Sequence, residues 1–209
     1  MFEPTALNFA AVPRPAFGRA AQHLPATTAK TKADQRHMRQ ARDAATVLPD
    51  LPAVGESFHV ILPGTVDLCS IVIAQLRKVR CRHLRLTTLA MSKRNMADLI
   101  SVLEADRTMK FTLIVSEYYK SHNKDAWSEF RDSLSEFPNA VATSARVHLK
   151  IVLMDLEPEV PAVWESSCNL RRNGCAEFLA VHRATDLHGF YAAFIDRTAR
   201  DARRGKTAA

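Results

Sequence analysis

A mixed β-sheet sandwiched between helices, an α/β fold, is what the sequence predicts for residues 51–200. Three features carry that prediction. From Ser57 to Phe137, short apolar runs alternate with helix-spaced amphipathic segments, the pattern of a mostly parallel sheet covered by helices. From Val147 to His182, three more strand-like runs follow with loops and no helix between them, which calls for antiparallel neighbours at that end. A single long amphipathic segment then closes the chain.

Residues 1–27 are rich in Ala and Pro with no sustained period and read as an arm. Residues 30–47, KTKADQRHMRQARDAATV, read as a helix with a basic face and too little apolar surface to belong to a core. PDLPAVGE breaks that pattern, so the folded domain is expected to begin near Leu51. SFHVILPG is a strand stopped by Pro63-Gly64, and TVDLCSIVIAQLRKV is a helix that turns Leu68, Ile71, Val72 and Leu76 inward. HLRLTTLA is the next strand, and SKRNMADLISVLEAD is a helix opened by Ser92. KFTLIVSE and KDAWSEFRDSLSEF repeat the strand and helix pair. VHLKIVLMD, PAVWESS and AEFLAVH are the later strands, and ATDLHGFYAAFIDRTARDAR is the closing helix. Residues 201–209 read as a basic tail.

Composition narrows the function classes. With 209 residues, 47% of them hydrophobic, the chain suits one domain with a proper core. No apolar run reaches membrane-spanning length, and the first residues lack the charged start and apolar centre of a secretory signal, so a cytoplasmic protein with no membrane partner is expected. Cys69, Cys81, Cys168 and Cys175 form no C-x-x-C pair and have no zinc-like His partners, so reduced thiols are expected. The net charge of +7 sits mainly in the ends: residues 1–50 hold 7 Lys/Arg against 4 Asp/Glu, residues 196–209 hold 5 against 2, and the middle is nearly balanced. Basic ends on a near-neutral domain suit either the collection of a polyanion or simple solubility.

The chemistry is concentrated between Arg146 and His182. Read with period 2, the strand there puts His148 and Lys150 on one face and Val147, Leu149, Ile151 and Leu153 on the other. An imidazole and a fixed cation therefore project together, about 6.5–7 Å apart along the backbone. Asp155 has the opposite parity and is expected to brace the structure. Ser167, Asn169 and Glu177 follow. An imidazole can attack a phosphodiester and split one displacement into two, with Lys150, Asn169 and Ser167 to neutralise the phosphoryl oxygens. Glu177 is an acceptor able to hold the far imidazole nitrogen and so set the tautomer. These roles use no metal and no cofactor. Arg171 and Arg172 are either contacts to flanking phosphates or a solvated turn.

The order His148-x-Lys150-x-x-x-x-Asp155, then Ser166-Ser167-Cys168-Asn169, then Glu177, resembles the signature of the phospholipase D superfamily. The resemblance extends from about Ser57 to the closing helix. It departs from the usual pattern in two places: Ser166 stands where Gly is usual, and the interval LEPEVPAVWE is longer, reading as a hairpin turn with Pro158 near its apex. The resemblance implies a phospholipase D-like fold, a metal-independent phosphodiesterase, and a covalent phosphohistidine. It also implies two such histidines per active site. The chain supplies one full motif, because His122, with Lys124 two residues on, has Glu129 where Asp is expected and lies in a polar loop. A homodimer that brings two copies of His148 together is therefore implied. The expected substrate is nucleic acid, DNA in preference to RNA. The alternatives are a catalytically silent nucleic-acid-binding protein and, after it, a lipid phosphodiesterase.

Overall fold

A computed structural model describes residues 43–48 and 50–204. Strands β1 (Ser57–Leu62), β2 (Cys81–Thr88), β3 (Lys110–Ser116), β4 (Ala140–Ala145), β5 (Ile151–Leu156), β6 (Ala162–Ser166) and β7 (Glu177–His182) form one sheet in the order β1-β7-β6-β5-β2-β3-β4. Helices α1 (Leu68–Leu76), α2 (Lys93–Ala105), α3 (Glu117–His122), α4 (Lys124–Leu134) and α5 (Thr185–Arg203) flank it. The mixed α/β architecture is the expected one.

Local chemistry explains where several helices start. The Asp67 carboxylate accepts from the Ser70 N–H at 2.7 Å and opens α1. Ser92 and Asn95 form a reciprocal capping box at α2, and the Ser116 hydroxyl accepts from the Tyr119 N–H at α3. The apolar face of each helix then decides its layer. Leu68, Ile71, Val72, Leu99, Leu103, Trp127 and Phe130 pack with Leu84, Leu86, Phe111, Leu113, Val152, Met154 and Trp164 on one face of the sheet. The intervening residues Ile114, Ile151, Leu153 and Val163 face the other way, onto Ile195 and Ala199 of α5. This is the period-2 alternation that a sheet buried on both faces requires.

The topology refines several expectations. β2 and β3 are parallel, as the alternation predicts, and β4 joins them in parallel, but β1 lies at the far edge and pairs antiparallel with β7. β5, β6 and β7 are antiparallel neighbours, and β5 joins the parallel half through β2. β4 is a seventh strand that the sequence pattern did not reveal. AVATSA carries small residues and forms an edge that is half-buried along most of its length, so its hydrophobic alternation is weak. α3 likewise lies where the sequence pattern predicts a polar loop. The strand expected from Val147 begins only at Ile151. Residues 146–150 must cross from β4 to β5 past β3 and β2, about 14 Å at ordinary strand spacing, and only at Lys150, whose carbonyl accepts from the Ser166 N–H at 3.1 Å, do they meet the sheet. Leu149, expected inward, is accordingly 37% exposed.

Ala44 and Leu48 are buried in the main core, so the packed region already includes residues ahead of Leu51. Of the helix expected over 30–47, only 43–47 falls among the described residues, and it is helical. The rest of that helix, the arm over 1–27 and the tail beyond Arg204 lie outside the described residues.

Candidate active site

The pairing directions place the ends of β1, β2, β3, β4 and β6 at the edge where β5 and β7 begin. Open α/β sheets commonly hold their ligands outside the carboxyl ends of such strands. The loop residues gathered at this edge include Gly64 after β1, Leu89 after β2, the crossing 146–150 ahead of β5, and residues 167–176 between β6 and β7.

His148 is exposed and Lys150 is half-buried. The Lys150 ammonium lies 3.1 Å from His148 Nδ1 and 3.5 Å from Nε2, and it donates to the His148 carbonyl at 3.0 Å. The expected juxtaposition of imidazole and cation is therefore present, although both residues sit on the crossing segment rather than within the strand. Burial lowers the Lys150 pKa, and the negative charge of Glu177 opposes that shift.

Glu177 is held from its own side of the site. Ser167 Oγ donates to one carboxylate oxygen and Asn173 Nδ2 to the other. Among the described residues, no hydrogen bond joins Glu177 to His148. Ser167 also continues the strand pairing: its N–H donates to the Phe178 carbonyl at 3.2 Å, and its Oγ accepts from the Phe178 N–H at 3.0 Å. Asn169 is tied to the end of β2, where its Oδ1 accepts from the Leu89 N–H at 3.2 Å, so its amide N–H groups are the donors left for a ligand. The next residues continue the seam: the Leu170 N–H donates to Thr88 Oγ1 at 3.1 Å, and the Arg171 N–H to the Ala90 carbonyl at 3.4 Å.

Ser166 makes its own use of the position where Gly is usual. Its hydroxyl donates to the Phe178 carbonyl at 2.7 Å and accepts from the Cys168 N–H at 2.9 Å, so it pins the start of the loop. No described residue other than Gly has a positive φ, so the backbone here does not call for glycine. Burial pushes the neighbouring Cys168 thiol up to about 11, which keeps it protonated and unreactive at neutral pH.

Asp155 lies on the opposite face, beneath α5. It accepts from Arg85 Nη1 at 2.7 Å, and His188 Nε2 stands 2.7 Å from its Oδ1. Arg85 is also held by both oxygens of Asp196, at 2.9 and 3.1 Å. Burial alone would raise the Asp155 pKa, but the His188 hydrogen bond and the Arg85 charge hold it below the usual carboxylate value. Arg171 and Arg172 are exposed, and the Arg171 charge is felt at Tyr119.

Two contributors to this edge were not picked out from the sequence. Asn173 orients Glu177, and its Oδ1 accepts from the Cys175 N–H at 2.8 Å. Gly64 allows the β1 loop to touch the 173–175 turn: a Cβ at Gly64 would lie 2.3 Å from the carbonyl carbon and oxygen of Gly174. Pro63-Gly64 at the end of a strand was the available signal, because strand ends of that direction converge on the site.

No protein-family model matches the chain, and no curated protein matches it in sequence. Solved structures are similar in fold. A phosphatidylserine synthase from Haemophilus influenzae Rd KW20 matches over 84% of this chain and 47% of its own, with 15% identity and a TM-score of 0.51. A polyphosphate kinase from Porphyromonas gingivalis matches over 68% of this chain and 26% of its own, with 17% identity and a TM-score of 0.48. Yeast tyrosyl-DNA phosphodiesterase 1 matches over 48% of this chain and 25% of its own, with 6% identity and a TM-score of 0.33. The chain thus spans about half of the synthase and about a quarter of the other two. With the seven-stranded mixed sheet and the likeness to the synthase, the chain has the fold of the phospholipase D superfamily.

Proposed function

We propose that this chain is a metal-independent phosphodiesterase, an endonuclease acting on DNA through a covalent phosphohistidine in a homodimeric active site. The observation that carries the reading is the pairing of His148 with Lys150 at the carboxyl edge of the sheet, beside Asn169, Ser167 and Glu177. The shared fold fits a phosphoryl-transfer role.

A phosphodiester entering this edge draws the Lys150 ammonium onto its oxygens, and the Asn169 amide supports the same charge. Lys150 otherwise donates to imidazole Nδ1, so its departure frees the ring to exchange tautomer. A ring nitrogen of His148 attacks phosphorus and forms the N–P bond as the P–O bond to the leaving group breaks. The departing oxygen takes its proton from the imidazolium of the second copy's His148. Water then attacks phosphorus and gives a proton to that second imidazole, and the N–P bond breaks. Glu177, poised by Ser167 and Asn173, is the carboxylate that receives the far N–H of the attacking ring once it turns toward His148. Arg171 and Arg172 contact the flanking phosphates.

The test is cleavage of plasmid and single-stranded DNA in EDTA, with His148→Ala beside the native protein. Cleavage that persists in EDTA and vanishes in the variant supports the proposal. Loss on chelation overturns the metal-free mechanism, and equal cleavage by the variant removes His148 as nucleophile. An active, strictly monomeric protein by light scattering overturns the paired site. One observation favours a second reading, a silent nucleic-acid binder: both Glu177 oxygens are engaged by Ser167 and Asn173. Retention of DNA without turnover at any pH would select it.

A further inference from the structure

Helix α3 leaves the sheet at the same edge as the candidate site. Its cap Ser116 pairs with Ala145, the residue that precedes the 146–150 crossing. α3 buries Tyr119 but turns Tyr118 outward, 66% exposed. A single exposed aromatic needs no explanation by itself, yet this one is stacked and held. The Tyr118 and His122 rings lie 4.1 Å apart between centroids with their planes tilted by 33°. The imidazole is fixed in turn: Nδ1 stands 2.8 Å from the Tyr118 carbonyl, which can only accept, so Nδ1 carries the proton. Ser121 Oγ lies 3.0 Å from the same nitrogen and donates to the same carbonyl at 2.9 Å. Lys120 and Lys124, both exposed, lie within and just after the same segment, and the charge of Arg171, on the 167–176 loop, is felt at the buried Tyr119 next door. An oriented aromatic face with cations nearby, at the same edge as the proposed phosphodiester site, is the combination that single-stranded nucleic acids use.

We propose that Tyr118, backed by His122, is a stacking platform for an unpaired nucleobase, and that the substrate is single-stranded or locally unpaired nucleic acid. This rests on the nuclease reading and adds a substrate class to it. In a duplex the faces of the bases are covered by their neighbours, so only an unpaired base can present one to Tyr118. The cations meet the phosphates on either side, while the stacked base holds the strand at the edge of the sheet that carries His148. The platform sits on a helix, outside the sheet surface where a stacking-rich aromatic array would normally be sought.

The experiment measures equilibrium binding by fluorescence anisotropy, with the full chain carrying His148→Ala so that nothing is cleaved. Three labelled probes of equal length are compared: a single-stranded oligodeoxynucleotide, the same strand in a duplex, and an abasic strand with the same phosphates. The single strand should bind more tightly than the duplex. Adding Tyr118→Ala should weaken the single strand about fivefold to a hundredfold and leave the abasic strand within about twofold, whereas Tyr118→Phe should retain binding. Tyr118 is exposed, so a native circular dichroism spectrum is expected for both variants. Equal losses for the normal and abasic strands, or no loss for either, overturn the platform and leave the nuclease reading standing. Failure of every probe to bind overturns the nucleic-acid reading and the platform with it.

Discussion

Replacing Asp155 should weaken the fold without removing a group that touches substrate. Its carboxylate receives Arg85 Nη1 at 2.7 Å and stands 2.7 Å from His188 Nε2, and so joins β5 to β2 and to α5. The Arg85 side chain is only 9% exposed, and that of Asp155 24%. Asp155→Ala leaves the His188 nitrogen without its partner and Arg85 with Asp196 alone. Hydrogen bonds to charged groups contribute about 1.5–3 kcal/mol each, and breaking a buried ion pair costs about 3–5 kcal/mol. Asp196 still compensates Arg85, so a loss near the lower end, about 3 kcal/mol, is expected. With a urea dependence of about 1–3 kcal/mol per molar, the unfolding midpoint should fall by about 1 M or more. Trp127 and Trp164 are both buried, so their fluorescence reports the transition. Asp155→Asn keeps an acceptor but loses the charge, and it should show about half the effect. An unchanged midpoint for Asp155→Ala together with abolished cleavage would refute this account and make Asp155 a member of the reacting site.

Three further outcomes follow from the same contacts. Ser166→Gly removes a donor to the Phe178 carbonyl and an acceptor for the Cys168 N–H, so a loss of about 1–2 kcal/mol in urea unfolding is expected, with no gain in cleavage rate; a faster, equally stable variant would show that Ser166 had been an impediment. Gly64→Ala drives a methyl into the Gly174 backbone, so the 173–175 turn must shift and carry Asn173 off Glu177. A cost of about 1–3 kcal/mol with slower cleavage is expected, and an unchanged thermal midpoint would contradict the close approach. Burial, aided by the Arg85 charge, holds the His83 imidazole down to about 4 from its ordinary 6.5. The folded state thus stays neutral where the unfolded chain binds a proton, and the stabilisation present above pH 6.5 is lost as the pH falls toward 4. After allowance for solvent screening of a half-buried ring, the loss should be about 1–2 kcal/mol, read from urea midpoints across that range. His83→Gln should flatten the profile, and a native profile already flat over that range would refute the assignment.

Elements whose cause is local are legible in the chain alone. Helical spacing with a side-chain cap marks α1 and α2, and period 2 separates Leu113 from Ile114 and Val152 from Leu153 onto opposite faces. The same parity turns Asp155 onto the face that α5 covers. Three features depend instead on long-range pairing. Ala140–Ala145 became a strand only because β3 offers it an edge, since its small residues carry little periodic signal. His148 and Lys150 lie ahead of β5 because the strand order forces residues 146–150 to cross from β4 to β5. The carboxylate of Glu177 is held by Ser167 and Asn173, partners that only the closure of the 167–176 loop supplies. Hydrophobic period and capping act over a few residues, whereas strand order and loop closure depend on hydrogen bonds between segments far apart in the chain. Those contacts turn a row of motif residues into one edge of a sheet, with Tyr118 and Gly64 drawn in from segments that the motif does not include.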